Sequence, residues 1–282
     1  SAHIPGVRVQ IPPPTPSKAK PLFGAAFSFA CMRVTQRKGE WDVISTVFFD
    51  VGSTLMYACP SVPEAFALAA REHGFNLSVR DVEPFMDEVD RFYEQEYLRD
   101  GDFWCSHERS VMIWKDMYGI LARRTGLGEH AALLAEATHA KYRTAAFWAL
   151  YDDVVPCLRT LKLSGHRLGV ISNWDAGLEA LLREVGLLPY FDVVVASAAV
   201  GYRKPDPVVF ELALERMDAR PEETAHVGDL PEADGAAHAG DHRSQAHSPF
   251  EWAYVYRYAD RSARCSRRLL RAAGERIAQS CR

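Results

Sequence analysis

Apolar residues follow two different periods along this chain. Residues 46–49 (TVFF) form a short uninterrupted apolar run, which predicts a strand buried on both faces of a parallel sheet. From residue 62 to about residue 150, apolar residues recur every three or four positions, which predicts helices. We expect these helices at residues 63–73, 79–98, 106–124 and 129–142. No strand pattern interrupts them, so this segment is predicted to be an all-α unit.

After residue 151, short apolar runs alternate with helical patterns. We expect strands at residues 167–172, 192–196 and 224–228, and helices at residues 152–163, 176–185, 206–217 and 232–239. This alternation predicts βαβ units with right-handed crossovers. The predicted fold class is α/β, with a Rossmann-like parallel sheet core and an inserted all-α cap domain. The predicted domains are a core of residues 41–60 and 150–240 and a cap of residues 61–149.

The two ends of the chain follow neither period. Residues 1–40 include the proline-rich stretch PPPTP, and we expect a disordered N-terminal extension there. Residues 241–282 form a basic C-terminal tail whose structure the sequence leaves open.

Composition argues against several classes of function. The net charge of -4 disfavours a general nucleic-acid binder, and no apolar run is long enough to span a bilayer. The six cysteines are scattered without metal-type spacing, which favours reduced thiols in a cytoplasmic protein. Residues 21–32 are apolar like an export signal, but no suitable cleavage site follows them. We therefore expect a cytoplasmic monomer or homodimer without membrane or nucleic-acid partners.

Polar residues follow the predicted strands of the core. In open α/β sheets, ligands bind at the carboxyl ends of the strands. Six polar residues are expected at that edge: Asp50, Ser172, Asn173, Lys204, Asp229 and Asp234. Carboxylates, a hydroxyl and an amine together suit a phosphoryl group with Mg²⁺, which prefers hard oxygen ligands. A carboxylate can attack phosphorus only if the charge on the phosphoryl oxygens is neutralised, which a metal and a lysine can do.

These residues belong to four motifs that occur in a fixed order. The motifs are Asp50-x-x-x-Thr54, Ser172-Asn173, Lys204-Pro205-Asp206-Pro207 with Phe210 beyond it, and Gly228-Asp229-x-x-x-x-Asp234. With them the chain resembles the haloacid dehalogenase (HAD) superfamily, in the branch whose helical cap is inserted after the first strand. The resemblance covers roughly residues 42–240.

The resemblance implies a catalytic role for three residues. Asp50 would be the nucleophile that forms an aspartyl-phosphate. Ser172 would hydrogen-bond the phosphoryl oxygens, and Lys204 would neutralise the nucleophile and the phosphate. Thr54, which would steady the first loop, and Asn173 are expected to line the substrate site.

The resemblance also implies a Mg²⁺ site. Asp50, Asp229 and the backbone carbonyl of Gly52 would be ligands of the ion. Asp234 would hold a metal-bound water or orient Lys204. The expected substrate is a small phosphorylated compound.

Gly52 departs from the pattern of the family's phosphatases. These enzymes carry a second aspartate two residues after the nucleophile, which protonates the leaving group and later activates water. General acid–base help of this kind contributes about 10²–10⁴ in rate. Gly52 offers only backbone groups and is also expected to line the substrate site.

Four interpretations of this glycine stay open. A 2-haloacid dehalogenase also lacks the second aspartate, but it needs no metal carboxylate at the position of Asp229. A phosphonate-cleaving relative uses a lysine in the first half of its cap, whereas this cap has only Lys115 and Lys141. The third and fourth are a Mg²⁺-dependent phosphohydrolase and a phosphate- or Mg²⁺-binding relative without turnover. The sequence favours the phosphohydrolase, acting on good leaving groups or with a substitute acid: Asp102, His107 or Glu108.

Aromatic residues of the cap are further candidates for substrate contact. Phe103 and Trp104 follow Gly101-Asp102 in a predicted loop, so we expect them to touch the substrate. Trp174 could cover the pocket, but we expect core packing or exposure instead. His226 is expected to be a core residue, and Asp206 a helix N-cap.

Overall fold

A computed structural model describes residues 33–37 and 40–234 of the chain. Our expectations for residues 1–32 and 241–282, and for the end of the helix at 232–239, lie outside the described residues.

The strands of the described residues are β1 (Arg33–Arg37), β2 (Glu40–Val43), β3 (Thr46–Phe49), β4 (Met56–Ala58), β5 (Trp148–Leu150), β6 (Arg167–Ser172), β7 (Val193–Ala196) and β8 (Thr224–Val227). The α-helices are α1 (Val62–Glu72), α2 (Val79–Val82), α3 (Met86–Asp100), α4 (His107–Arg124), α5 (Ala131–Tyr142), α6 (Val154–Leu163), α7 (Leu178–Glu184), α8 (Ser197–Val200), α9 (Pro207–Met217) and α10 (Pro231–Asp234). Short 3₁₀ helices lie at Glu83–Phe85, Gly101–Cys105, Gly128–His130, Ala145–Phe147, Leu188–Tyr190 and Pro221–Glu223.

The central sheet contains four parallel strands in the order β7-β6-β3-β8. Thr46 of β3 lies opposite Arg167 of β6 on one side and opposite Thr224 of β8 on the other. All four residues of β3 are buried, because α6 and α7 pack on one face of the sheet and α9 on the other. The α/β class with a parallel sheet is therefore confirmed. The predicted strands and helices of this core, up to β8, differ from the described ones by at most two residues at either end.

The helical segment (residues 62–142) comprises α1 to α5 and has an apolar core of its own. α1 begins after Ser61, whose N–H and hydroxyl both donate to the Glu64 carboxylate, at 2.8 and 2.7 Å. The helix predicted at residues 79–98 is interrupted, so its continuity was wrongly predicted. Pro84 lies in a 3₁₀ turn between α2 and α3, because proline lacks the N–H that a continuous helix needs.

A short antiparallel strand pair joins the helical segment to the sheet. Met56 of β4 lies opposite Leu150 of β5, and Ala58 lies opposite Trp148. Gly52 forms a backbone bridge with Met56 beside this pair. Strands of three residues are too short to show a period of two, so the sequence did not predict them. The pairing returns the chain to the end of β3 after the helices.

Two observations near the start of the described chain differ from expectation. β1 pairs with β2 in an antiparallel ladder, although residues 1–40 were expected to be disordered. A ladder satisfies the backbone groups of both strands without any apolar period. Cys59 is disulfide-bonded, so the expectation of reduced thiols was wrong for this residue, whereas Cys105 is a free thiol as expected. Among the described residues, no helix combines the length and the apolar character that a membrane span requires.

Candidate active site

Asp50 lies directly after β3, at the carboxyl edge of the sheet. Its N–H donates to the Val227 carbonyl at 2.8 Å, which ties the end of β3 to the end of β8. The carboxylate is buried. Oδ1 accepts hydrogen bonds from Ser172 Oγ at 2.9 Å and from Lys204 Nζ at 2.7 Å. Oδ2 accepts from Thr54 Oγ1 at 3.4 Å, so residues from three separate motifs meet at one carboxylate.

Lys204 lies between two carboxylates in the interior. The residue is only 2% exposed, and its Nζ donates to both Asp50 and Asp234. Burial opposes the charge, but the two carboxylates outweigh burial and raise the pKa of Lys204. The neighbouring His226 is buried against Phe210, which confirms the prediction of a core residue. Burial and the charge of Lys204 lower the pKa of His226 to about 3, so this ring stays neutral beside the lysine.

Three carboxylates form a cluster at the same edge. Ligand oxygens of Asp50, Asp229 and Asp234 all lie within 4.8 Å of one another. Burial, followed by the charges of Asp50 and Asp234, raises the pKa of Asp229 to about 6. Crowded carboxylates of this kind are relieved by a bound divalent cation, and their oxygens are the ligands that Mg²⁺ prefers. The residues present therefore fit a Mg²⁺ ion, and the ligand role of the Gly52 carbonyl stays a prediction.

Asp234 owes its position to the turn before it. Its carboxylate accepts from the Leu230 N–H at 2.9 Å as well as from Lys204. A Cβ on Gly228 would lie 2.1 Å from the carboxyl group of Asp234. Glycine at residue 228 is therefore required for the close approach, and the structure brings Asp234 to Lys204 as the sequence suggested.

Asn173 is hydrogen-bonded to the backbone of Lys204, in the loop between α8 and α9 that is here called the lysine loop. Its Oδ1 accepts from the Lys204 N–H at 2.7 Å, and its Nδ2 donates to the Lys204 carbonyl at 3.0 Å. Both ends of the amide are thus used to hold Lys204 in place. Substrate contact by Asn173, which we expected from the motif, stays an untested prediction. Asp206 accepts from the Val208 N–H at 2.9 Å at the start of α9, so its prediction as an N-cap is confirmed.

Phe103 and Trp104 lie in a 3₁₀ helix, not in the predicted loop. Both are buried in the core of the helical segment, with 2% and 7% of their surface exposed. The Trp104 Nε1 donates to the Tyr93 hydroxyl at 3.2 Å, and its carbonyl accepts from Ser197 Oγ at 2.7 Å. These contacts account for both rings by packing, and a substrate role for them stays a prediction.

Arg203, which the sequence analysis missed, ties the helical segment to the lysine loop. Its guanidinium donates to Asp102 at 3.4 Å and to the Tyr97 hydroxyl at 3.2 Å. The same group lies 5.1 Å from the centre of the Tyr97 ring and donates to the Lys204 carbonyl at 3.2 Å. Gly101 permits this approach, because a Cβ there would lie 2.4 Å from Arg203 Nη2. The available signal was an arginine directly before the motif lysine.

The three candidates for a substitute acid occupy different places. Asp102 is exposed and pairs with Arg203, and Glu108 is exposed at the start of α4. His107 Nδ1 lies 3.9 Å from the Asp175 carboxylate, in the loop after β6. Asp102 and His107 therefore both contact loops of the site, and the role of either one as an acid stays a prediction.

The two lysines of the helical segment are engaged in ion pairs. Lys115 lies 2.5 Å from Glu136, and Lys141 lies 2.5 Å from Glu72. Neither pair involves a residue of the carboxylate cluster.

Comparisons with known proteins identify relatives of this chain. The family model described as haloacid dehalogenase-like hydrolase matches residues 44–240. The chain is 32% identical over 189 residues to the human protein named haloacid dehalogenase-like hydrolase domain-containing protein 3, covering 66% of this chain and 74% of that protein. It is 31% identical over 204 residues to glyceraldehyde 3-phosphate phosphatase of Methanopyrus kandleri, covering 70% of this chain and 82% of that enzyme.

A solved structure supports the fold. The putative HAD-hydrolase YfnB from Bacillus subtilis, whose crystal form is bound to magnesium, superposes with a TM-score of 0.54 at 19% identity. The alignment covers 67% of this chain and 79% of that one. With the family model matching most of the chain, we conclude that this protein belongs to the haloacid dehalogenase-like hydrolases.

Proposed function

We propose that this chain is a Mg²⁺-dependent phosphohydrolase that cleaves a small phosphorylated metabolite through an aspartyl-phosphate on Asp50. One observation carries the proposal: Asp50 is held between Ser172 and Lys204 while its oxygens lie within 4.8 Å of those of Asp229 and Asp234. A nucleophile, charge-neutralising groups and a set of metal ligands are thus together at one strand end.

Asp50 would act as the nucleophile. One of its carboxylate oxygens forms a bond to phosphorus, and the bond from phosphorus to the leaving-group oxygen breaks, with the electron pair staying on that oxygen. Water then attacks the phosphorus, phosphate is released and the carboxylate is restored. Ser172 and Lys204 orient the carboxylate and donate hydrogen bonds to the charged oxygens.

Asp50, Asp229 and Asp234 would hold the Mg²⁺. When bound, the ion supplies positive charge next to the phosphoryl oxygens. The raised pKa of Asp229 supports this assignment, because a cation lowers the repulsion that burial and its two neighbours create. The same carboxylate disfavours the dehalogenase alternative, which has no use for a third acid at this edge.

Position 52 limits the leaving group. Without an acid at this residue, the departing oxygen receives no proton from the first loop. Acyl and aryl phosphates are therefore the favoured substrates, since their leaving groups are stable as anions. The relative named glyceraldehyde 3-phosphate phosphatase supports a phosphorylated small molecule as the class of substrate.

The helical segment would act as a cap. Arg203 and Ser197 already connect it to the loops of the core, through Asp102, Tyr97 and the Trp104 carbonyl. A cap that closes over the site excludes water and selects the substrate. In this proposal Phe103 and Trp104 reach the substrate only if closure exposes them.

Phosphate release from acetyl phosphate and p-nitrophenyl phosphate, with Mg²⁺ and with EDTA, tests the proposal. We expect release that depends on Mg²⁺ and that Asp50→Asn abolishes. Asp87→Asn is the matched control, because Asp87 is an exposed carboxylate on α3.

Other outcomes would assign the chain differently. Halide release from a 2-haloacid in EDTA would identify a dehalogenase. A folded protein that binds phosphate and Mg²⁺ but releases no product in any condition would be a binding protein, and the proposal would be wrong.

A further inference from the structure

Gly52 lies beside the indole of Trp174, and its backbone would accept a side chain. Its φ lies outside the left-handed region, so the backbone conformation does not itself require glycine. A Cβ built there would lie 3.4 Å from Cζ3 of Trp174. A methyl group would thus be in van der Waals contact with the indole. Trp174 therefore lies against the position where the family's phosphatases carry their second aspartate.

Trp174 is held in this position from several sides. Its backbone N–H donates to Ser197 Oγ at 3.1 Å, and its backbone carbonyl accepts from the Ala198 N–H at 3.2 Å. Its ring packs against that of Trp148, with centroids 5.1 Å apart and planes at 52°. Trp148 is in turn anchored by a hydrogen bond of 2.8 Å from Nε1 to the Tyr142 carbonyl. The hydrogen bonds hold the backbone of Trp174, and the contact with Trp148 holds its ring beside Gly52.

We propose that Trp174 is a specificity-determining residue that lines the site beside the position of the absent acid. Trp174 and Trp148, here called the tryptophan pair, are both half-buried and give the leaving-group side of the site an aromatic wall. A planar apolar leaving group packs on such a wall, and an aromatic contact contributes about 0.5–1.5 kcal/mol beyond area. The inference rests on the proposed function and narrows its substrates to aryl phosphates.

The chemistry of an aryl phosphate agrees with both halves of this proposal. When the phosphorus–oxygen bond breaks, the electron pair stays on the oxygen as a phenolate, which needs no proton at that moment. An alkyl phosphate would leave as an alkoxide, which does need one. Gly52 thus lacks the acid that an alkyl phosphate requires, and the tryptophan pair supplies the surface that an aryl group prefers.

A double-mutant cycle on stability tests, without any turnover, whether the ring of Trp174 leaves residue 52 open. Gly52→Asn adds the size of an aspartate without its charge, and Trp174→Ala removes the ring. Because a Cβ at residue 52 would make only an ordinary contact with the ring, we expect Gly52→Asn to change the Tm by a similar small amount in both backgrounds. A much larger loss in the wild-type background than in Trp174→Ala would mean that the ring blocks residue 52, and that Trp174 acts by exclusion and not as a surface for the substrate.

A comparison of aryl and alkyl phosphates tests the role of Trp174 in substrate specificity. We expect Trp174→Ala to reduce the ratio of kcat/KM for p-nitrophenyl phosphate over glycerol phosphate by about tenfold, mostly through KM. Gly52→Asp should raise activity on glycerol phosphate by about 10², because it restores an acid beside the leaving group. An unchanged ratio in an active enzyme would refute the inference and leave the proposed function intact.

Binding decides the inference if the wild-type chain releases no phosphate. Phenylphosphonate should then quench tryptophan fluorescence at lower concentration than methylphosphonate does, and Trp174→Ala should remove the difference. Equal binding of the two phosphonates would contradict the aromatic wall, whereas absent turnover by itself contradicts only the proposed function.

Discussion

Two sides of the site differ in how the chain builds them. The polar cluster (Asp50, Thr54, Ser172, Lys204, Asp229 and Asp234) comes from the ends of three parallel strands and from the loop before α9. The tryptophan pair comes from a three-residue strand and from the loop after β6. Strand ends meet in any parallel sheet, but two indoles meet only when separate loops have compatible shapes. The polar cluster therefore follows from the topology of the sheet, whereas the tryptophan pair depends on the conformations of individual loops.

Among substitutions in the polar cluster, we expect the loss of the Lys204 charge to have the largest effect on activity and stability. We expect Lys204→Met to lower phosphate release by about 10²–10³ or more, because the charge beside Asp50 is lost. It should also destabilise the fold by about 3–5 kcal/mol, since Asp50 and Asp234 would stay buried without their cation. Urea unfolding and steady-state kinetics check the two effects.

A surface lysine provides the control for Lys204. Lys162 pairs with Asp192 at 2.8 Å at the surface, and Lys162→Met should change stability by about 1 kcal/mol or less. Equal destabilisation by the two substitutions would mean that the buried network has no special importance.

Asn173→Asp separates positioning from substrate binding. The substitution keeps the acceptor for the Lys204 N–H and removes the donor to its carbonyl. We expect kcat to fall about tenfold with KM unchanged, because the lysine would shift by a fraction of an ångström. Asn76→Asp, at an exposed residue, is the control. A raised KM with normal kcat would instead show that Asn173 contacts the substrate.

Gly228→Ala tests the close packing under the cluster. The added methyl would lie 2.1 Å from Asp234, and overpacking of this kind costs about 1–3 kcal/mol. Gly128→Ala adds the same methyl 3.5 Å from its nearest neighbour, an ordinary contact. Thermal unfolding should therefore show a clear loss for Gly228→Ala and almost none for Gly128→Ala. Similar melting of both variants would contradict the packing described at Asp234.

The stability of the helical segment should depend on pH through His139, a residue of α5. This residue is 6% exposed, and burial lowers its pKa. The positive charges of Lys115 and Arg143 also lower the pKa, whereas the negative charges of Asp175 and Glu136 oppose the shift. The unfolded chain therefore binds the proton more tightly, so stability is complete above about pH 6.5 and falls as the pH decreases below it. His139→Gln should make the decline between pH 6.5 and lower pH shallower, as measured by urea unfolding. An unchanged slope would mean that this ring takes up its proton equally in both states.

Much of the core could be predicted because its signals are local. Thr46–Phe49 is an unbroken apolar run ending in Asp50, and Arg167–Ser172 is another that ends beside Asn173. Each motif residue follows from the strand before it. The position of Asp234 under Lys204 also follows, since Gly228 leaves space for its carboxylate.

The features that the sequence did not predict depend mostly on contacts between distant segments of the chain. Nothing near Trp148 indicates that its strand pairs with Met56–Ala58, or that its ring meets Trp174. Arg203 acquires its role from Tyr97, a residue of a different element. The helix predicted at residues 79–98 failed for a local reason, because Pro84 was given too little weight.

The most direct test of the central claim is to trap the phosphorylated enzyme. The wild-type chain would be mixed with acetyl phosphate and Mg²⁺, quenched in acid and mapped by peptide mass spectrometry. Our account predicts a phosphoryl group on Asp50 that is absent in EDTA and absent in Asp50→Asn. Turnover without any phosphoryl group on Asp50, or with one on another residue, would contradict it.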